Sequence, residues 1–255
     1  IVNTTGQALS LTNGTLSATF SSVTSSGGTN NVALASPLTG TLTISAGAFS
    51  GATGNSFDIN GGTATINNAA TIASGSARSV NVTGKTGGTV TFSGAITDTD
   101  TGINLNTNTG AIINFTGGLA LSTGTNPAFT VTGGGTVSAT QNNTSIVNTI
   151  TTSTGTALNV ANTTIGASNL TFRSISANGA VNAIVLNTTG SSGGLTITGN
   201  SSGLCGGSVG SGPPASAATV TAPVTADCTG GTIQNTTGPG ILLTNTSNIS
   251  ITRLR

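Results

Sequence analysis

The chain has 255 residues, of which only 4% are charged; it contains five Lys+Arg, four Asp+Glu and no His, for a net charge of +1. This balance excludes the basic patch that binds nucleic acid and the polybasic segment that anchors a chain to a membrane surface. The lack of His also excludes Ser/His and Cys/His nucleophiles, and no apolar run approaches the ~20 residues of a membrane-spanning helix.

The residue types favour β-strands from one end of the sequence to the other. Thr, Val and Ile are abundant, whereas the helix formers Glu, Lys, Gln and Met are rare or missing. The hydrophobic fraction of 35% and its regular alternation argue against a disordered chain. We therefore predict an all-β fold.

An apolar-x-apolar pair returns about every 24 residues along the chain. In chain order the nine pairs are Leu9/Leu11, Val32/Leu34, Phe57/Ile59, Val80/Val82, Ile103/Leu105, Phe129/Val131, Leu158/Val160, Ile184/Leu186 and Ile241/Leu243. The last interval is longer and predicts an insertion at this point.

A second apolar pair follows most first pairs after a turn rich in Gly and Asn, and a weaker third position follows the second pair. The second pairs are Leu42/Ile44, Ala64/Ile66, Val90/Phe92, Ile113/Phe115, Val137/Ala139, Leu170/Phe172, Leu195/Ile197 and Ile249/Ile251. The third positions are Phe49, Ile72, Ile96, Leu121, Ile146 and Ile175. Strand alternation predicts that the members of each pair point inward and the residue between them points outward.

Two or three short strands in each repeat of about 24 residues predict one coil of a solenoid. One coil cannot bury its own apolar side chains, but coils stacked ~4.8 Å apart bury a continuous column. We therefore predict a single domain over residues 1–255, a right-handed parallel β-helix of about nine coils. The rival architecture, a β-sandwich, needs antiparallel hairpins and has no register that recurs over the whole chain.

A segment at about 200–232 breaks this rhythm and predicts a loop that leaves the solenoid. Cys205 and Cys228 bracket a stretch that contains Pro213, Pro214 and Pro223. We expect a disulfide between the two cysteines, which would close the loop and indicate an oxidising compartment. The alternative is two separate buried thiols. With no His and two thiols, a metal site is not expected, and no cofactor is predicted.

Outward positions beside the second pairs carry many threonines and form a possible surface ladder. Its members are Thr41, Thr43, Thr63, Thr65, Thr89, Thr91 and Thr136. A regular threonine array on a solenoid resembles the ice-binding faces of some β-helical antifreeze proteins. Thr is also the ordinary solvent-facing residue of strands, so a plain Thr-rich face is the alternative.

The few charged residues offer little for catalysis. Asp98 and Asp100 are expected to be solvated turn carboxylates, because a calcium site needs more oxygen ligands. Asp58 is expected to face outward, and Arg78 and Lys85 to flank one strand as a small charged spot of the kind that is usually inert. We expect no enzyme, although a polysaccharide-active enzyme stays open as a minor alternative.

The segments STGTALNV and TTGPGILLTNTSNISI resemble the parallel β-helix repeats of large bacterial surface proteins, such as adhesins and autotransporter passengers. The resemblance covers nearly all of the chain outside about 200–232. It implies an exported protein, and many such proteins form shafts that display a binding tip.

We expect an extracellular or cell-surface structural segment, a shaft or filament building block. Two alternatives are a carbohydrate- or surface-binding adhesin module, with the 200–232 loop as the contact, and an ice-binding solenoid. Neither end of the sequence has an obvious polar cap, so we expect end-to-end self-association or continuation into a longer solenoid. A surface glycan is the other partner considered.

Overall fold

A computed structural model describes residues 1–74, 78–140, 146–200 and 228–255. The strands in these ranges are β1 (Val2–Asn3), β2 (Leu9–Phe20), β3 (Val23–Ser25), β4 (Val32–Ile44), β5 (Gly47–Ser50), β6 (Asn55–Asn60), β7 (Thr65–Asn68), β8 (Thr71–Ser74), β9 (Arg78–Thr83), β10 (Thr89–Phe92), β11 (Ile96–Asp98), β12 (Ile103–Asn106), β13 (Ile112–Phe115), β14 (Leu119–Gly124), β15 (Phe129–Thr132), β16 (Thr136–Ala139), β17 (Thr149–Thr152), β18 (Leu158–Ala161), β19 (Thr164–Phe172), β20 (Ser174–Asn178), β21 (Ile184–Asn187), β22 (Leu195–Ile197), β23 (Ile233–Gln234), β24 (Ile241–Thr244) and β25 (Ser250–Ile251).

The chain winds round three faces, and each strand pairs in parallel with its counterparts in the neighbouring coils. The first face contains the first halves of β2 and β4, then β6, β9, β12, β15, β18, β21 and β24. The second face contains the second halves of β2 and β4, then β7, β10, β13, β16, β19, β22 and β25. The third face is a separate nine-stranded sheet, in the order β1, β3, β5, β8, β11, β14, β17, β20 and β23.

This arrangement confirms the predicted all-β parallel solenoid and the spacing of about 24 residues. The number of turns is about eight, not nine. The nine first-face strands enclose only eight complete turns, because the coil that begins at β24 is not completed within the described residues.

The predicted apolar column on the first face is present and in register. Val82 pairs with Leu105, and Leu105 pairs with Val131. These side chains are at most 2% exposed. The sequence repeat therefore places the first apolar pair of successive coils on top of one another inside the solenoid.

Six phenylalanine rings form a chain along the interior, although they come from all three faces. Successive ring centroids lie 5.2–6.1 Å apart, and most pairs meet edge to face. The order is Phe49, Phe57, Phe92, Phe115, Phe129 and Phe172. Such pairs add about 0.5–1.5 kcal/mol each to the burial of the rings. The rings therefore link the coils across the interior as well as along each face.

The second-face register differs from the prediction in one coil. The predicted pair was Ala64/Ile66, but Ile66 pairs with Leu42 and Asn68 pairs with Ile44. Asn68 is 1% exposed, and its Nδ2 donates to the Ala70 carbonyl oxygen at 2.9 Å. An asparagine can occupy this inward position because a backbone acceptor lies beside it. On the third face, Ile150 lies in the column that was predicted to contain Ile146.

The corner between the first and second faces requires a left-handed backbone in most coils. The residues at this corner with positive φ are Asn13, Gly61, Gly84, Thr107, Gly133, Asn162, Thr188 and Asn245. Gly and Asn adopt this conformation at low cost, whereas a β-branched residue such as Thr is strained. The coil geometry therefore imposes this backbone conformation on whichever residue occupies the corner.

Buried asparagines bond the backbone at corners where strand pairing lapses. Asn148 Oδ1 accepts from the Leu119 amide at 2.8 Å, and its Nδ2 donates to the Thr171 carbonyl oxygen at 2.8 Å. Asn31 Nδ2 lies within hydrogen-bond distance of four oxygens of the neighbouring turns. Both asparagines are 0% exposed. These side chains satisfy buried backbone groups that the ladders leave open.

Candidate functional site

The threonine ladder lies on the second face as two parallel outward rows. In the first row Thr65 pairs with Thr41. Thr89 lies beside Thr65, because the next residues, Val90 and Ile66, are paired. The row continues through Ile112, Thr136 and Thr164. Ile112 is 45% exposed and interrupts the hydroxyls.

The second outward row alternates threonine with other polar residues. It runs through Thr43, Asn67, Thr91, Asn114 and Ser138. Thr63, which the sequence placed in the ladder, precedes β7 and lies outside both rows. It was misplaced because the strand in this coil begins two residues later than the apolar pattern suggested.

A bulge with three extra residues interrupts the second face within β19, and we call its residues 166–169 the inserted turn. Val137 pairs with Ile165, but Ala139 pairs with Leu170, so residues 166–169 stand opposite Ser138 alone. A Cβ added to Gly166 would lie 2.5 Å from Ser138 Oγ, which places the inserted turn directly against that side chain. The sequence pattern did not reveal this insertion, because the inward residues on both sides of it remain apolar.

The inserted turn forms one wall of a cleft of about 290 Å³. The cleft is lined by Thr91, Asn114, Phe115, Thr116, Ser138, Thr140 and Ser168. A second cleft of about 340 Å³ lies at the adjacent corner and is lined by Gly134, Gly135, Asn162, Thr163, Thr164, Thr188 and Gly190. The ladder thus adjoins two concave surfaces that are lined by uncharged residues, and each of them includes a residue of β19.

Asp98 is buried, which corrects the prediction that it is a solvated turn carboxylate. It is 0% exposed and pairs with Leu121 on the third face. Its Oδ1 accepts from the Asp100 amide at 2.8 Å and its Oδ2 from the Ser79 amide at 2.9 Å. The carboxylate faces inward because Asp98 lies two residues after the buried Ile96, on the same side of β11, and it accepts hydrogen bonds from backbone amides at the corner.

Lys85 is also buried, which corrects the prediction of an exposed charged spot. It is 1% exposed, and its Nζ donates to the Ala64 carbonyl oxygen at 2.6 Å. Burial lowers the pKa of Lys85 from 10.5 to about 8. Burial is also the main influence on Arg78 and lowers the pKa of its guanidinium, and Asp98 and Asp100 partly oppose this. The two cations therefore lie in different surroundings and form no shared surface patch.

Asp58 faces outward on the first face, as predicted, and begins a polar ladder. Its Oδ1 accepts from Asn55 Nδ2 at 2.9 Å and from Asn81 Nδ2 at 2.8 Å. Asn81 Oδ1 accepts in turn from Asn104 Nδ2 at 2.8 Å. These bonds join three successive coils on the outside, and they occupy this carboxylate with structural contacts.

The predicted disulfide and most of the predicted loop lie beyond the described residues. Cys228 is inside them, but Cys205 and residues 201–227 are outside, so the disulfide stays a prediction. Within the four described ranges, no three His, Cys, Asp or Glu side chains are grouped as metal ligands would be.

The comparisons with known proteins leave the chain without a demonstrated family. No family model, no curated protein and no solved structure matches it. In the described part of the chain, no helix is long and apolar enough to cross a membrane.

Proposed function

We propose that the chain is a non-enzymatic structural segment, a rigid shaft or filament building block of a cell-surface or secreted fibre. The observation that carries this proposal is the continuous interior column. Inward residues of each coil stack in register on those of the next, for example Val82, Leu105 and Val131. Parallel ladders on all three faces join the same coils through the backbone. Such stacking resists bending and extends to any number of coils.

The last described coil supports the idea that stacking continues beyond it. Leu243 lies in the inward row above Leu186, yet it is 43% exposed whereas Leu186 is 0% exposed. Among the described strands, β24 also has only one neighbour, β21, so one of its edges has no partner in this part of the chain. A further coil, from the same polypeptide or from a second copy of the chain, would cover both the side chain and the edge. We propose end-to-end stacking of this kind.

We propose an extracellular location for this shaft. The support is the charge fraction of only 4%, the predicted disulfide between Cys205 and Cys228, and the resemblance to exported β-helix proteins. The same resemblance supports assignment to the adhesin or autotransporter-passenger type.

The shaft proposal is tested by placing the chain between a surface anchor and a tip that binds a known ligand. Outward substitutions on the three faces, Thr130→Lys, Thr41→Lys and Thr97→Lys, should leave tip binding and tip height unchanged. Removing one coil should lower the tip by about 4.8 Å, the strand spacing. Loss of function from these outward substitutions in a chain that still folds would contradict a shaft.

Ice binding is the second candidate, and the first ladder row favours it. Thr41, Thr65 and Thr89 stand side by side on three successive coils, at the strand spacing of ~4.8 Å. If the row binds ice, Thr65→Lys should abolish thermal hysteresis, whereas Thr130→Lys on the first face should not. If the unmodified chain shows no thermal hysteresis, ice binding is rejected.

The adhesin alternative relied on the 200–232 loop, and residues 201–227 of it lie outside the described part. Deleting that loop and finding undiminished adhesion would reject the loop as the contact.

A further inference from the structure

We propose that the cleft beside the inserted turn 166–169 is a binding site for a single neutral saccharide unit. The residues that line this site all lie in the described part of the chain, and the proposal does not depend on the shaft proposal. Its volume of about 290 Å³ is at the small end of ligand pockets, which measure ~300–1,000 Å³. A cleft of this size accommodates one sugar residue of a chain that passes over the second face.

The wall of the cleft is held in place before any ligand binds. A Cβ at Gly193 would collide with the Gly166 carbonyl oxygen, so the next coil packs closely on the inserted turn. At the other end of the turn, Asn169 adopts a φ of 65° and its Oδ1 accepts from the Gly194 amide at 3.0 Å. A turn fixed at both ends loses little freedom on binding, which favours affinity for a small ligand.

The lining chemistry matches a polyhydroxylated, uncharged ligand. Five of the lining residues carry hydroxyl groups and one carries an amide: Thr91, Thr116, Ser138, Thr140, Ser168 and Asn114. Each hydroxyl can both donate and accept, and so can the amide group, as sugar hydroxyls also do. No lining residue is charged, so the cleft offers no partner for a uronate or a sulfated sugar.

One buried hydroxyl in the cleft has no hydrogen-bond partner among the described residues. Thr140 Oγ1 is shielded from solvent and is without a partner in the described part of the chain. Buried polar oxygens are nearly always paired, so this hydroxyl is available for a hydrogen bond with a group that is seated in the cleft. A sugar hydroxyl in the cleft would supply that partner.

The affinity should be low, because the cleft provides no aromatic surface for stacking. Phe115 lines it but is 1% exposed. The adjacent corner cleft is the weaker candidate, since three of its seven lining residues are glycines without side-chain hydrogen-bonding groups. Low affinity for one unit is compatible with binding a polymer at many copies of the chain.

Saturation-transfer NMR on the full chain tests the proposal, with methyl glucoside, methyl mannoside and methyl galactoside as neutral probes and galacturonate as the charged probe. At least one neutral probe should bind at tens of millimolar. Asn114→Ala should lower the affinity for that probe about 5–10-fold, which is the effect of losing one or two hydrogen bonds. Ser168→Phe, which fills the cleft, should abolish binding.

Thr89→Ala is the matched control, because Thr89 lies on the same face but does not line the cleft. It should leave binding unchanged, and circular dichroism should show that all three variants fold. The proposal is overturned if no neutral probe binds, if Ser168→Phe binds as well as the unmodified chain, or if galacturonate binds more tightly than the neutral probes. None of these outcomes affects the shaft proposal, which the tip-height experiment tests.

Discussion

Thr107 stands at a corner where neighbouring coils place Gly84 and Gly133, and its φ of 57° is unfavourable for a β-branched residue. Its hydroxyl donates to Asn106 Oδ1 at 3.0 Å, which offsets part of the cost. Thr188 repeats both features, with a φ of 54° and a hydrogen bond to Asn187 Oδ1. The coil geometry therefore fixes the backbone at this corner, whether or not the residue prefers it.

Thr107→Asn should raise the free energy of unfolding by about 0.5–1 kcal/mol, because Asn tolerates the left-handed conformation that L residues otherwise enter at a cost of roughly 1–2 kcal/mol. Denaturant unfolding measures the change. Gly84→Ala should have the opposite effect, since the nearest atom to an added Cβ is 4.0 Å away and only φ opposes it. Equal stability of both variants and the unmodified chain would contradict strain at this corner.

Lys85 predicts an unusual dependence of stability on pH. Its pKa in the folded chain, about 8, lies below the ordinary 10.5, so the unfolded chain binds more protons between these values. The free energy of unfolding should therefore rise as the pH rises from about 8 to 10.5, by up to roughly 3 kcal/mol, and the contribution of Lys85 should be constant well below pH 8 and well above pH 10.5.

Lys85→Met is the control for this prediction, and melting temperatures across pH 7–11 are the measurement. Lys85 is the only lysine, and the chain has no His and no Tyr, so few other groups titrate in this window. The melting temperature of the Lys85→Met variant should stay constant over the pH range in which that of the unmodified chain rises. Parallel curves for the two chains would show that Lys85 is not a buried cation.

Two charged residues were misplaced by sequence reasoning for the same physical reason. Asp98 and Lys85 are polar, so alternation of apolar residues cannot report that they point inward. Each is buried because backbone groups at a corner bond to it, the Ser79 amide in one case and the Ala64 carbonyl oxygen in the other. Only coordinates bring those groups, about 20 residues apart, together.

At the scale of elements, the phenylalanine chain joins strands of different faces, which share no backbone pairing, as well as strands that are paired within one face. Phe92 on β10 lies between Phe57 on β6 and Phe115 on β13. The sequence predicted that each of these residues faces inward. It could not predict that rings from different faces meet, because that depends on the distance between the sheets.

Phe92→Ala should lower the free energy of unfolding by about 3–5 kcal/mol, since it leaves a cavity and removes two ring contacts. Denaturant unfolding measures the loss. Ile112→Ala on the same face is the matched control, and because Ile112 is 45% exposed it should change stability by less than about 1 kcal/mol. A loss for Phe92→Ala as small as the control would contradict the proposed coupling between faces.

The inserted turn is a feature of one strand that the apolar pattern of the sequence could not predict. Ile165 and Leu170 both face inward, so the apolar pattern continues across residues 166–169 without a visible break. The cleft lies between this unpaired stretch and residues of the three preceding coils, which contain β10, β13 and β16. Its position could therefore not be read from a repeat whose spacing varies by a few residues from coil to coil.

For the whole molecule, the sequence repeat predicted the stacking of the coils correctly, but it predicted the exact strand boundaries less well. Val82, Leu105 and Val131 were predicted to stack and do so. Ile146 and Thr63 were misplaced where Asn, Thr and Ser blur the strand boundaries. Stacking of coils tolerates such local shifts because each coil contacts only its neighbours.

The central claim, that identical places in successive coils stack as one column, is tested most directly by removing a coil. Deleting residues 103–128 brings Phe129 into the place of Ile103, its partner in the ladder, and keeps the inward and outward sides. Deleting residues 103–127 instead leaves Ala128 in that place and turns the alternation over. Thermal unfolding followed by circular dichroism should show a cooperative β-sheet transition for the first deletion and its loss, or a much lower melting temperature, for the second. Equal behaviour of the two deletions, or loss of folding in the first alone, would contradict the account.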